Sequence, residues 1–220
     1  MSENFDNISR ASSRTLDIDV GLRSYMQKVY NFMALGLGVT GVTAYLTSNS
    51  PAMLNMIFGS GLFYVVMFAP LIMVFVLASR IGKMSFSTAQ TVFLVYSGLM
   101  GLSLSGIFIA YTGQSITKVF FISAGTFAGT SLYGYTTKSD LSRFGSFLFM
   151  ALFGVILASV VNMFLKSSAL EFTVSLVGVF LFTGLAAYDT QMIKEMYFAG
   201  DSEDMMGKKA LRGALSLYLD

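Results

Sequence analysis

From Val29 to Ser79 the chain carries no Asp, Glu, Lys or Arg, and the same is true of Met84 to Thr117, Val119 to Thr137, Phe144 to Leu165 and Phe172 to Tyr188. About 20 apolar residues in a helix cross the hydrocarbon of a bilayer, so each run holds at least one spanning helix. The first run holds two, because Ser48-Asn49-Ser50-Pro51 in its middle is a polar turn with a helix-breaking proline. Spanning helices are therefore predicted near residues 28–47, 60–80, 86–111, 116–137, 143–165 and 171–193, with a seventh at 208–220 and onward. Composition agrees: 55% of the 220 residues are hydrophobic, 12% are charged, and the mean hydropathy is +0.69. The expected architecture is an all-α integral membrane protein. A polar tail over residues 1–27 precedes a seven-helix bundle over residues 28–220.

The same composition excludes whole classes of chemistry. With no Cys, disulfide and thiolate reactions are absent; with no His, the commonest metal ligand and neutral-pH proton carrier is missing. Carboxylates are left as the tunable acid-base groups, and no cofactor or enzymatic activity is expected. The net charge of +2, scattered over loops, does not point to nucleic acid. The tail carries both signs of charge, so it is not a cleavable signal peptide, and the first helix stays as its own anchor. All Lys and Arg except Lys118 and Lys166 fall in the tail or in the even-numbered loops, which places the N-terminus in the cytoplasm.

Two carboxylates sit at the edges of the apolar pattern. Asp189 ends the run Phe172 to Tyr188, and Asp220 closes the run Gly213 to Leu219. A carboxylate at the centre of a membrane helix costs about 2.5 to 3.5 kcal/mol on insertion scales, so a chain that keeps two near such segments uses them. Helix six runs toward the cytoplasm and helix seven starts there, so the two side chains are expected to meet in the cytoplasmic half. The bland reading of Asp189 is a water-exposed helix end. Residues 208–220 are too few to span, and the expectation is a chain cut inside helix seven. The acidic loop Asp201, Glu203 and Asp204 reads as a solvated turn, with a cation-collecting pore mouth as its alternative.

Small residues mark expected packing faces: Gly125 with Gly129, Ser97 with Gly101 and Ser105, and Ala34 with Gly38. Pro70 should kink helix two, either as a static bend or as a hinge that moves the end carrying Arg80.

The string Ala187-Tyr188-Asp189-Thr190-Gln191 with Ile193-Lys194, and the closing Ala214-Leu215-Ser216-Leu217-Tyr218-Leu219-Asp220, resemble signatures of the Bax inhibitor-1 family, also called the transmembrane BAX inhibitor motif family. The likeness is strongest to bacterial members. It extends over Met26 to Ala34 and Ser131 to Tyr135. It implies a seven-helix fold in a bacterial inner membrane, with the seventh helix central and incomplete in this chain. It further implies a pH-sensitive calcium leak channel in which Asp189 and Asp220 form a paired sensor, with Arg80 as the salt-bridge partner or gate.

The physics of such a pair stands apart from the resemblance. Two carboxyls held within hydrogen-bonding distance in a low-dielectric site share one proton rather than both ionise. Ca²⁺ prefers oxygen ligands, so the pair that senses protons would also attract the permeating ion in a transient site at Asp189 and Asp220. An intramembrane aspartyl protease would need Gly-x-Gly-Asp at the second aspartate, where this chain has Leu217-Tyr218-Leu219-Asp220. The stronger alternative is a regulator of a membrane protease or other membrane partner, with Ser2 to Asp19 as its docking segment.

Overall fold

The computed structural model describes residues 2–220, with residues 2–19 described as backbone only. The side chains of the segment Ser2 to Asp19, expected to dock a partner, therefore lie outside the described residues. The helices are α1 (Ser2–Ser48), α2 (Pro51–Phe58), α3 (Leu62–Arg80), α4 (Phe86–Leu104), α5 (Ile107–Ala110), α6 (Gly113–Thr136), α7 (Ser142–Leu165), α8 (Ser168–Glu195) and α9 (Glu203–Leu219). A 3-10 turn, Ile81–Lys83, joins α3 to α4. Among the described residues there is no strand.

Five stretches among the described residues are long and apolar enough to cross a membrane: Val20–Ser48, Leu62–Lys83, Phe86–Ala110, Ser142–Leu165 and Ser168–Glu195. Their outward faces confirm the solvent they are built for. Phe75, Phe164 and Phe180 are more than two-thirds exposed, and the most apolar stretch of α7 has no buried residue at all. Water would not tolerate such a surface, whereas lipid tails match it. The helix α6 has the length, but its Gly, Ser, Thr and Tyr make it less apolar.

Local rules fix most boundaries. Ser50 accepts from the Met53 N–H and Pro51 follows at the first helical position, so the turn expected at 48–51 opens α2, a short helix in the stretch before the helix expected from 60. Ser85 caps α4 in the same way, accepting from the Thr88 N–H. The helix expected from 28 starts far upstream, and Tyr25 and Met26 are buried along it. The helix expected at 86–111 is interrupted at Ser105, whose hydroxyl bonds the Leu102 carbonyl. The helix expected from 208 starts at Glu203. Through Pro70, which is buried, α3 runs unbroken.

The chain divides into two compact units, Met1–Ile116 with Met196–Tyr218, and Thr117–Glu195 with Leu219–Asp220. In the first unit, Leu77, Ile81, Ala89, Phe93, Tyr96, Leu211 and Leu215 form a buried cluster. Tyr218 lies edge-on to Phe93 and Tyr96, with ring centroids 5.8 and 5.5 Å away. The Thr40 hydroxyl is 3.0 Å from the Gly36 carbonyl, 2.9 Å from the Ser97 carbonyl and 2.7 Å from the Tyr218 hydroxyl. Carbonyls only accept, so Thr40 shares its one proton between them and receives the Tyr218 proton. One hydroxyl thus ties together α1, α4 and α9.

Helix α1 meets α4 at Gly101, where a Cβ would lie 2.5 Å from the Thr40 carbonyl oxygen. The matching face of α1 is Gly36, Thr40 and Ala44, all buried. Ala34 and Gly38 are exposed, so the face expected there is corrected. A shift of two residues turns a helix by about 200°, and four-residue spacing read from either register selects opposite sides. Gly125 and Gly129 likewise border open space and make no close helix contact.

In the second unit α7 and α8 are joined by two residues. Lys166 takes a left-handed backbone (φ 50°), its N–H bonds the Asn162 carbonyl at 2.7 Å, and the Asn162 side chain accepts from the Ser167 N–H at 2.9 Å.

Gly101→Ala should lower stability by about 1–3 kcal/mol through overpacking, whereas Gly125→Ala and Gly129→Ala should stay within about 0.5 kcal/mol of the parent. Thermal unfolding in detergent measures this; equal losses at the three positions would contradict the assigned face.

Candidate functional site

The residues around Asp189 are gripped by their neighbours in the second unit. Ala187 lets α6 approach so closely that a Cβ on Gly134 would stand 2.2 Å from the Ala187 carbonyl oxygen. Tyr188 lays its ring on Gly145 of α7, where a Cβ would come within 2.7 Å of it, and meets Phe149 edge-on at 6.2 Å. Thr190 donates to the Ala186 carbonyl at 2.7 Å and lies 3.4 Å from the Ser131 hydroxyl. Gln191 uses both ends of its amide on the α6–α7 connection, donating to the Ser139 carbonyl at 2.9 Å and accepting from the Leu141 N–H at 2.8 Å. Lys194 donates to the Tyr135 carbonyl at 2.9 Å and stands 5.3 Å over the Tyr135 ring. A cation on the carbonyls that end α6 is favoured by the helix dipole.

Asp189 itself is half-buried, and Asp220, also half-buried, lies close enough for the two carboxylates to interact electrostatically. Asp220 Oδ2 is buried and has no hydrogen-bond partner. The same residue lines a half-open groove of about 620 Å³ walled by α6, α7 and α8. Its lining is mostly apolar, threaded by the hydroxyls of Ser123, Thr126, Thr130, Ser175 and Thr183. Thr126, Thr130 and Thr183 donate to the carbonyls of Ile122, Thr126 and Val179, which leaves their oxygens as acceptors. Among the described residues no group of three or more His, Cys, Asp or Glu could hold a metal ion.

Arg80 lies exposed in the last turn of α3, in the first unit, and takes part in neither of the described ion pairs. Pro70 lies mid-way along the same helix. The acidic loop is exposed at Glu203 and Asp204, as a solvated turn is, and it also carries two ion pairs. Asp201 pairs with Lys209 at 2.5 Å, and Asp204 accepts from Lys208 at 2.8 Å and from the Phe86 N–H at 3.1 Å. Lys208 and then the Phe86 amide hold the Asp204 carboxyl below its ordinary value of 3.8. Its charge is thus spent on closing the start of α9 onto the start of α4.

Sequence reasoning passed over Gly134, Gly145 and Gln191. Their signal was weak: lone glycines and a single amide reveal nothing until the partner is known. Gln191 stood inside the quoted string without a role.

The family described as inhibitor of apoptosis-promoting Bax1 matches residues 22–220. Among curated proteins, the chain is 47% identical to the inner membrane protein YbhL of Escherichia coli strain K12, over 91% of this chain and 87% of that one. It is 46% identical to the uncharacterised protein RP147 of Rickettsia prowazekii, over 95% and 89% of the two chains. An uncharacterised membrane protein of Streptococcus pyogenes serotype M1 is 36% identical over 92% and 89%.

Gln191→Leu keeps the volume but strands the Leu141 N–H and the Ser139 carbonyl, at a cost of about 1–3 kcal/mol. Limited proteolysis should then cut the α6–α7 connection faster than in the parent, and an unchanged rate would contradict the grip. Because the Asp204 value is lowered in the fold, its clasp is present above the ordinary 3.8 and is lost as pH falls through the lowered value. Hydrogen exchange at the Phe86 amide, corrected for intrinsic rate, should rise over that acid range; Asp204→Asn should weaken the protection at neutral pH as well.

Proposed function

The chain belongs to the family described as inhibitor of apoptosis-promoting Bax1, and from that membership we propose that it is a pH-sensitive calcium leak channel gated by Asp189 and Asp220. The observation that supports the reading is the buried, unpartnered Oδ2 of Asp220 beside a mostly apolar lining, with Asp189 near enough for the two charges to repel. Brought within hydrogen-bonding distance in a site walled by apolar helices, such a pair would share a proton, and gaining or losing it would change the local charge by one. The ionised form attracts a hard cation, so H⁺ and Ca²⁺ compete for the same oxygens. Two carboxylates form too small a ligand set to hold Ca²⁺ tightly, which suits an ion that must leave again. The acceptor oxygens of Thr126, Thr130 and Thr183 supply further hard ligands along the groove.

The same reading places the protein in a bacterial inner membrane with its N-terminus in the cytoplasm, on the strength of its Lys and Arg distribution. A second reading, a membrane regulator acting on a membrane protein partner, is favoured by one observation. The turn of α8 around Asp189 is so fully engaged with α6 and α7 that the aspartates would serve as a latch between helices.

Purified protein in liposomes loaded with a Ca²⁺ dye, assayed between pH 6 and 8, separates the two. The expected result is Ca²⁺ flux that varies with pH in the parent and loses that variation in Asp189→Asn and Asp220→Asn. Flux equal to that of empty liposomes at every pH would discard the channel in favour of the regulator.

A further inference from the structure

The end of the first unit where α1 stops and α3 starts is aromatic and uncharged. Neither Val29 to Ser79 nor Met84 to Thr117 contains an ionisable Asp, Glu, Lys or Arg, so the turns that hold α2 and α5 carry no charge whatever. A loop built to meet water is rarely so composed. Tyr45, Met56, Phe58, Tyr64, Ile109 and Tyr111 are nonetheless between 42% and 65% exposed.

Aromatic contacts run through this surface. The Phe58 ring packs over Gly106, where a Cβ would lie 3.4 Å from it, and Phe63 bridges Phe58 at 5.9 Å and Tyr64 at 5.5 Å. Tyr45 at the end of α1 meets Phe108 of α5 edge-on at 6.3 Å. The surface is continuous with the exposed apolar flanks of α1 and α3, Val42 and Leu46 on one and Val65 and Phe68 on the other, which face lipid.

Several polar groups of the turns are satisfied from within. Ser48 and Asn49 both donate to the Tyr45 carbonyl at 2.8 Å, Ser60 donates to the Met56 carbonyl at 2.5 Å, and the Gly59 N–H bonds the Asn55 carbonyl at 2.9 Å. Backbone and side chains that answer one another need less water, and Tyr rings with an apolar body and a polar tip suit the boundary between headgroups and acyl chains.

We infer that α2 and α5 form a collar seated in the phospholipid interface, so that this end of the first unit lies in the bilayer surface rather than in water. With no charge to attract an anionic headgroup, the seat depends on apolar partition and on aromatic rings, and the partner is the interface of any fluid phospholipid, zwitterionic included. The collar fixes the depth of α1 and α3 in the membrane independently of whether the protein conducts ions.

The chain has no Trp, so Phe58→Trp creates a single reporter, with Tyr64→Trp as a second in case the first does not fold. The full chain is reconstituted in phosphatidylcholine vesicles that carry a quencher attached either near the headgroup or near the acyl-chain end. Expected are blue-shifted emission, quenching at least twofold stronger from the shallow label than from the deep one, and weak quenching by aqueous iodide. Addition of phosphatidylglycerol or salt should leave all three unchanged. Strong iodide quenching without lipid quenching would overturn the collar, as would preferential quenching by the deep label or a requirement for anionic lipid.

Discussion

In lipid an apolar side chain gains nothing by exchanging one apolar neighbour for another, so helices of a membrane protein are held by how closely their backbones can approach. Gly101 and Gly134 are where that approach happens. At each, the space a methyl group would fill is taken by a carbonyl oxygen of the facing helix, Thr40 in one unit and Ala187 in the other. The polar contacts cluster at the same places. Thr40 ties α1 to α4 and α9 beside Gly101, and Thr190, Gln191 and Lys194 tie α8 to the end of α6 and the turn after it beside Gly134. Asp189 stands in the stretch of α8 that this second cluster holds, so its position rests on a packed scaffold rather than on a loop.

Much of the fold was legible because charge is so costly in hydrocarbon. Apart from the start of α1 and the break at Ser105, the uncharged runs located the long helices within a few residues, and the Phe-rich faces of α7 and α8 are exposed as a lipid-facing surface must be. What the runs could not show is which way a helix faces. Gly125 and Gly129 have the spacing of a packing face yet border open space, while Gly36, Thr40 and Ala44, two residues out of step with the expected pair, make the real contact. Hydropathy is nearly uniform around such helices, so it carries no azimuth.

The site shows the same division. Asp189 and Asp220 were conspicuous because each interrupts an apolar pattern, and both belong to the second unit, near enough for their charges to repel. Gln191 was not conspicuous, since an amide near a helix end is ordinary until its two backbone partners, Ser139 and Leu141, arrive from a distant turn. The acidic loop is exposed at Glu203 and Asp204, as a solvated turn is, but its ion pairs were hidden for a related reason. Charge counting sees Asp201 and Asp204 but not that Lys209 and Lys208, eight and four residues on, fold back onto them.

The turn at Lys166 has a consequence for how the second unit can move. With two residues between α7 and α8, and with Asn162 capping both the left-handed residue and the one after it, the helices are locked as an antiparallel hairpin. Neither can slide along the membrane normal without dragging the other. Any piston stroke that changed the depth of Asp189 would have to carry the whole hairpin, with the bare phenylalanine surface of α7 ploughing through acyl chains; a small tilt or roll of the paired helices about their shared hinge meets far less resistance.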